Sequence, residues 1–203
     1  MQSTVQLFNT AMARLGGEQL DRRISPQEKD TLGALCENLF PHVLDLTLGA
    51  HAWSFAERRT SLALVRPEQD DADYPYAYAM PSDCVRALRL EGSGGLNRSP
   101  AYIIEGDMLR ATVPEASLLY VRRITDPRRW PPSFADALAW AMAAELASAK
   151  NNDSHKQQWA MQNYELTLER AIARDCAGQN RFQPVSAWKA ARFGTAFPKP
   201  ERF

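Results

Sequence analysis

Asp126-Pro127-Arg128-Arg129-Trp130-Pro131-Pro132-Ser133-Phe134 is where the chain changes character. Just upstream, Leu118 to Ile124 is rich in the large apolar residues that suit a half-buried strand. Pro127, Pro131 and Pro132 lack the amide protons a sheet ladder needs, so the sheet stops here. Ser133 then offers an N-capping hydroxyl, with Asp136 at the reciprocal position of a capping box. From Phe134 to Ala149 nearly every residue is a strong helix former. Leu138, Met142, Glu145 and Leu146 mark one face, and small alanines permit close helix packing.

Extended structure is expected upstream of that junction, over about 53–125. Trp53, Phe55 and the run Ser61-Leu62-Ala63-Leu64-Val65 fit strands better than helix. Tyr74, Tyr76 and Tyr78 alternate, and Val85 to Leu90 is a further strand that ends at Gly92-Ser93-Gly94-Gly95. Tyr102-Ile103-Ile104-Glu105-Gly106-Asp107-Met108-Leu109 reads as two strands about a tight Gly-Asp turn. Glu68, Asp70, Asp71 and Asp73 form a solvated loop without the ligand spacing of a calcium site.

Helical signals return on both outer sides. Ser3 with Gln6 has capping-box spacing, and Val5, Phe8, Met12 and Leu15 recur at helical intervals before Gly16-Gly17. Ser25-Pro26-Gln27-Glu28 opens a second helix, with Leu32, Leu35, Cys36 and Leu39 behind it. Pro41 is expected to kink or split that helix before about Leu48. At the other end Asn151-Asn152-Asp153 reads as a turn, and a fourth helix runs from Ser154 to Cys176 and stops at Gly178. The expected fold is therefore α+β. Residues 1–52 and 126–178 form an antiparallel helical bundle of two N-terminal and two C-terminal helices, 53–125 form a central antiparallel β insertion, and 179–203 form an extended C-terminal tail.

That tail holds Phe182, Trp188, Arg192, Phe193, Phe197, Arg202 and Phe203 with little period. Tails that stay unstructured normally lack aromatics, so these seven residues are the candidate partner-docking set, against a helix-packing alternative.

At 203 residues, 45% hydrophobic and 24% charged, the chain has the composition of a globular protein. Its 24 basic and 24 acidic residues balance, which gives no global attraction to nucleic acid and little self-repulsion against association. Cys36, Cys84 and Cys176 are far apart and are expected to be buried, reduced thiols. No secretory leader and no run of about 18 apolar residues occurs, so a reducing cytosol is expected.

Catalytic signals are scarce. His42, His51 and His155 have no partner at metal-ligand spacing, and His42 with Asp45 reads as a surface hydrogen bond rather than a dyad. No nucleophile motif, phosphate loop, cofactor or metal site is expected, and neither is enzymatic activity. Arginine pairs at 22-23, 58-59, 122-123 and 128-129 raise a DNA-binding alternative, but each lies near acidic residues.

Three segments together resemble the tail tubular protein A family, the head-to-tail adaptors of short-tailed bacteriophages and related prophages. They are Trp53-Ser54-Phe55-Ala56-Glu57-Arg58-Arg59, Tyr76-Ala77-Tyr78-Ala79-Met80-Pro81-Ser82-Asp83-Cys84-Val85-Arg86, and Leu119 to Pro127 continuing through Phe134 and Ala139-Trp140. The resemblance covers about residues 3–176. It implies a structural virion component, made in the host cytoplasm and placed at the head-tail junction. It further implies a ring, commonly twelvefold, between a portal protein and a tail nozzle protein, with DNA passing through unread. The aromatic tail lies outside the matching segments. The rival function is a DNA-binding packaging or regulatory protein.

Overall fold

A computed structural model describes residues 3–16, 31–65, 72–92, 100–151 and 154–178. The fold is α+β, with four helices and two antiparallel sheets among the described residues.

Helix α1 spans Thr4–Arg14, and its start follows from local chemistry. The Ser3 hydroxyl accepts from the Gln6 amide at 3.2 Å, and the Gln6 side chain accepts from the Ser3 amide at 2.9 Å. Helix α2 spans Thr31–Gly49 and runs through Pro41 unbroken, so of the expected kink or split the split does not occur. Pro41 removes the amide that would meet the Glu37 carbonyl, but both residues are exposed, so water can take its place. The Ser25-Pro26 start expected for this helix lies outside the described residues.

Helix α3 spans Pro132–Asn151 and α4 spans Ser154–Ala177. The expected Ser133 cap is overruled: α3 begins at Pro132, two residues before Phe134, with Ala135 donating to the Pro131 carbonyl. Pro132 fits the first helical position because its missing amide would have had no partner there. The expected turn at 151–153 is corrected at its first residue, since Asn151 is still helical; Asn152 and Asp153 lie outside the described residues. Ala135, Ala137, Ala139, Ala143, Ala144 and Ala147 of α3 are buried, and α1, α2 and α4 all pack against this helix. A helix apolar all round must be covered all round, and alanine lets its neighbours approach closely.

Strands β1 (Glu57–Ser61), β7 (Ala116–Arg122) and β4 (Cys84–Gly92) form one antiparallel sheet in the order β1-β7-β4. Strands β2 (Leu64–Val65), β3 (Tyr76–Ala79), β6 (Met108–Ala111) and β5 (Tyr102–Glu105) form the other in the order β2-β3-β6-β5. The run expected to be extended at 61–65 is divided between the sheets, with Ser61 ending β1 and Leu64 starting β2 in the second sheet. The Gly-Asp turn is as expected, with Gly106 at φ +61°.

Apolar side chains gather in two clusters. One joins all four helices with Trp53, Ala56, Val121, Ile124 and Trp130. The other lies between the sheets and holds Tyr78, Leu109 and Ala111 against Leu90, Leu118 and Tyr120. The β half leaves and rejoins the helical half at adjacent points, because the Arg122 amide donates to the Ala56 carbonyl at 2.9 Å. Two tryptophans flank this point. Trp53 donates its ring N–H to the Thr47 carbonyl, and Trp130 donates to the Ile124 carbonyl, each at 2.9 Å. Both rings rest on Phe134, with centroids 5.1 and 6.0 Å away.

Candidate interaction surface

The four arginine pairs are the features of the sequence best suited to a phosphate ligand, and among their described members Arg58, Arg59, Arg123 and Arg128 are engaged by carboxylates of the same chain. Arg58 meets Asp83 at 3.4 Å, and Arg59 meets Glu91 at 3.0 Å. Arg128 doubles back onto Asp126 through two contacts of 3.0 Å, which holds the Asp126 carboxyl below its usual range. Arg123 takes Asp45 in a fork, with Nε at 2.7 Å, and the pair raises the guanidinium further. Two other arginines of β4 are similarly placed: Arg89 pairs with Glu91, and Arg86 donates to the Gly49 carbonyl at 3.1 Å, capping the end of α2. Arg22 and Arg23 lie outside the described residues.

His42 and His155 are exposed, and the expected His42–Asp45 bond is replaced by the Arg123–Asp45 fork. Among the cysteines, Cys36 is buried and Cys84 is half-buried, its thiol pushed up by burial. Cys176 is exposed, contrary to expectation, and lies in the last turn of α4.

His51 is drawn into a cluster that sequence spacing did not reveal. Its Nε2 lies 3.3 Å from Asp175 and 3.9 Å from the Cys176 sulfur. Asp175 also accepts from the Ser54 amide at 3.1 Å and from the Ser54 hydroxyl. Serine, histidine, aspartate and cysteine thus meet, but not as a relay. A relay needs the base to face its orienting carboxylate through one ring nitrogen and its nucleophile through the other. Here thiol and carboxylate approach the same nitrogen, and the serine hydroxyl is directed at the carboxylate. Asp175 instead works as a clamp. It caps the turn at 53–56, in which Ala56 and Glu57 both donate to the Trp53 carbonyl at 2.9 Å, and so fastens the end of α4 to the start of the β half.

An open cleft of about 380 Å³ lies between α1, the start of α3 and the end of α4, lined in part by Thr10, Arg14, Ser133 and Arg174. Arg14 does not offer this cleft an uncommitted charge. It pairs with Asp136, donates to the Asp136 carbonyl at 3.0 Å and stacks 4.2 Å above the Trp140 ring. Among the described residues no group of three His, Cys, Asp or Glu side chains could hold a metal ion, and no helix is long and apolar enough to cross a membrane.

Exposed apolar side chains remain as the candidate contact points. Leu64, Val65 and Ile104 lie on the outermost strands of the four-stranded sheet, while Trp159, Met161 and Leu166 lie on α4. Nothing in the run Tyr102-Ile103-Ile104-Glu105 singles out Ile104, because three apolar residues follow one another without alternation. Phe182, Trp188, Arg192, Phe193, Phe197, Arg202 and Phe203, the docking set expected from composition, lie outside the described residues. No protein-family model and no curated protein matches the sequence.

Proposed function

We propose that this chain is a structural head-to-tail adaptor of a bacteriophage, a ring subunit seated under the portal that continues the DNA channel and carries the tail nozzle. The observation that supports it is the division of the molecule into a helical half and a β half, each with its own apolar cluster. A subunit held between two different neighbours needs unlike surfaces, and a ring needs a contact that repeats head to tail. In this proposal the four helices form the bundle, residues 179–203 extend from it as an arm, and the seven aromatic and arginine residues of that arm dock on a partner. A twelvefold ring is the stoichiometry the family resemblance favours, with its place at the head-tail junction of the virion.

The pairing of Arg58, Arg59, Arg123 and Arg128 with carboxylates of the same chain weighs against the DNA-binding alternative. Cations already neutralised release few counterions from a duplex. Balanced charge of this kind suits a ring that lets DNA pass without gripping it.

The test is the mass of the chain alone and after mixing with the portal of the same genome, with negative-stain images of the product. A ring-sized particle joined to the portal is the expected result. Tight, salt-sensitive binding of duplex DNA with no engagement of the portal overturns the proposal.

A further inference from the structure

The two sheets of the β half treat their edges in opposite ways. In the three-stranded sheet, edge strand β1 carries exposed Arg58 and Arg59, and edge strand β4 loses register between Cys84 and Arg86 and again between Ala87 and Arg89. Charges and bulges of this kind keep a free edge from recruiting another strand. In the four-stranded sheet the edges are β2 and β5, and among the described residues no strand lies beyond either. β2 presents Leu64 and Val65, and β5 presents Ile104, to solvent.

Register makes these residues part of one feature. Leu64 stands opposite Tyr78, Tyr78 opposite Leu109, and Leu109 opposite Ile104. Directly opposed residues of an antiparallel sheet point to the same face, so the four side chains form a single row across it. The inner pair is covered, with Tyr78 1% and Leu109 0% exposed, whereas Leu64 is 59% and Ile104 48% exposed at the two ends. The row runs out of its own molecule at both edges.

We infer that a second copy of this chain covers each end: β2 of one subunit pairs with β5 of the next, with Leu64 opposite Ile104 and Val65 opposite Ile103. Strand polarity fits. Three successive antiparallel pairings set β5 opposite in direction to β2, so a following copy in the same orientation brings its β2 antiparallel to β5 with no break in alternation. The same placement keeps Leu64 and Ile104 on one face, which a shift of a single residue would undo. Pairing β2 with β2, or β5 with β5, would close a dimer and leave one apolar edge on each subunit uncovered. The unlike pairing covers both and repeats head to tail. The inference rests on the ring proposal for closure only.

Cysteine cross-linking of the full chain tests it, in a Cys176→Ser background that removes the exposed native thiol. Under mild oxidation L64C/I104C is expected to give a ladder of covalent multimers, a mixture of the two single variants to stop at dimers, and each single variant alone to stay uncross-linked. Dimers from one single variant as abundant as those from the mixture would mean like pairs with like, which overturns the inference. So would a chain that forms rings by mass but yields no ladder, an outcome that leaves the adaptor proposal standing. A chain that assembles neither alone nor with the portal defeats both. As a second readout, I104K is expected to reduce assembly about tenfold or more and L64E/I104K to restore it, with thermal unfolding of the dilute, unassembled chain unchanged in each variant because both positions are exposed.

Discussion

The Tyr120 hydroxyl donates a hydrogen bond to Asp83 at 2.8 Å, tying strand β7 by a side chain to the turn that launches β4. Burial, and then this bond to a carboxylate, push the phenol up to about 12 from its usual 10.0. The fold therefore favours the neutral phenol. Its contribution to stability is complete below pH 10 and is lost as pH rises from 10 towards about 12. In an ultraviolet absorbance titration Tyr120 is expected to ionise near 12, with Tyr78 and Tyr164 also raised by burial, and Y120F should remove one tyrosine's share of the late absorbance change. The same variant should lose about 1–3 kcal/mol in urea unfolding at neutral pH, since one oxygen of a half-buried carboxylate then loses its donor while Arg58 still holds the other.

Asp175 accepts from both the amide and the hydroxyl of Ser54, 121 residues away. D175A should cost about 1–3 kcal/mol, and the Ser54 amide should exchange with solvent faster while the amides of α3 stay protected. S54A, which removes only the hydroxyl contact, should cost less. Unchanged exchange at Ser54 in D175A would show that the clamp does not hold this turn.

Gly106 and Gly92 separate two kinds of glycine requirement. An added Cβ at Gly106 meets nothing within 4 Å, so G106A should cost only the left-handed backbone, about 1–2 kcal/mol. At Gly92 the same atom would lie 3.1 Å from side-chain carbons of Pro100 and Val113. G92A should therefore be rescued in part by V113A, whereas G106A should not. Unfolding midpoints of the four variants check this.

Arg123 and Asp45 join β7's exit to α2 through a fork, yet their side chains are 48% and 30% exposed. Exposed pairs contribute little, so a double-mutant cycle with R123A and D45A should give a coupling of about 0.2–1 kcal/mol. That coupling should shrink as salt is raised. A value that is larger and insensitive to salt would mean that the pair is shielded from solvent in the assembled state.

Features set by residues close in the chain were legible in the sequence. The Ser3–Gln6 capping box, the Gly106-Asp107 turn and the stop at Gly178 each depend on a few neighbouring positions, and the alternation of helical and extended segments follows from residue type. Where two local signals competed, the stronger was harder to rank: Pro132 at the first helical position draws Ser133 inside α3 and leaves Pro131 at its cap. The division of 57–65 between two sheets was hidden because Arg58 and Arg59 look like loop residues until β7 is seen beside them. Most obscure were the pairings across the chain. Nothing near Asp175 announces Ser54, and nothing near Arg14 announces Asp136, because such partners are chosen by packing at distances that pattern cannot span. The docking set at 182–203 rests on composition alone.

The Arg122–Ala56 hydrogen bond makes the β half a cassette. Its two ends lie side by side, and Trp53 and Trp130, which seal the helical half, stand outside them in sequence. A short linker from Ala56 to Arg122 would bridge the gap without stretching the path between α2 and α3, but Val121 of β7 and Arg86 of β4 reach into the helical half and would be lost with their strands. The strands free to be lengthened or exchanged while the helical half stays as it is are those of the four-stranded sheet, whose described side chains lie outside the helical cluster.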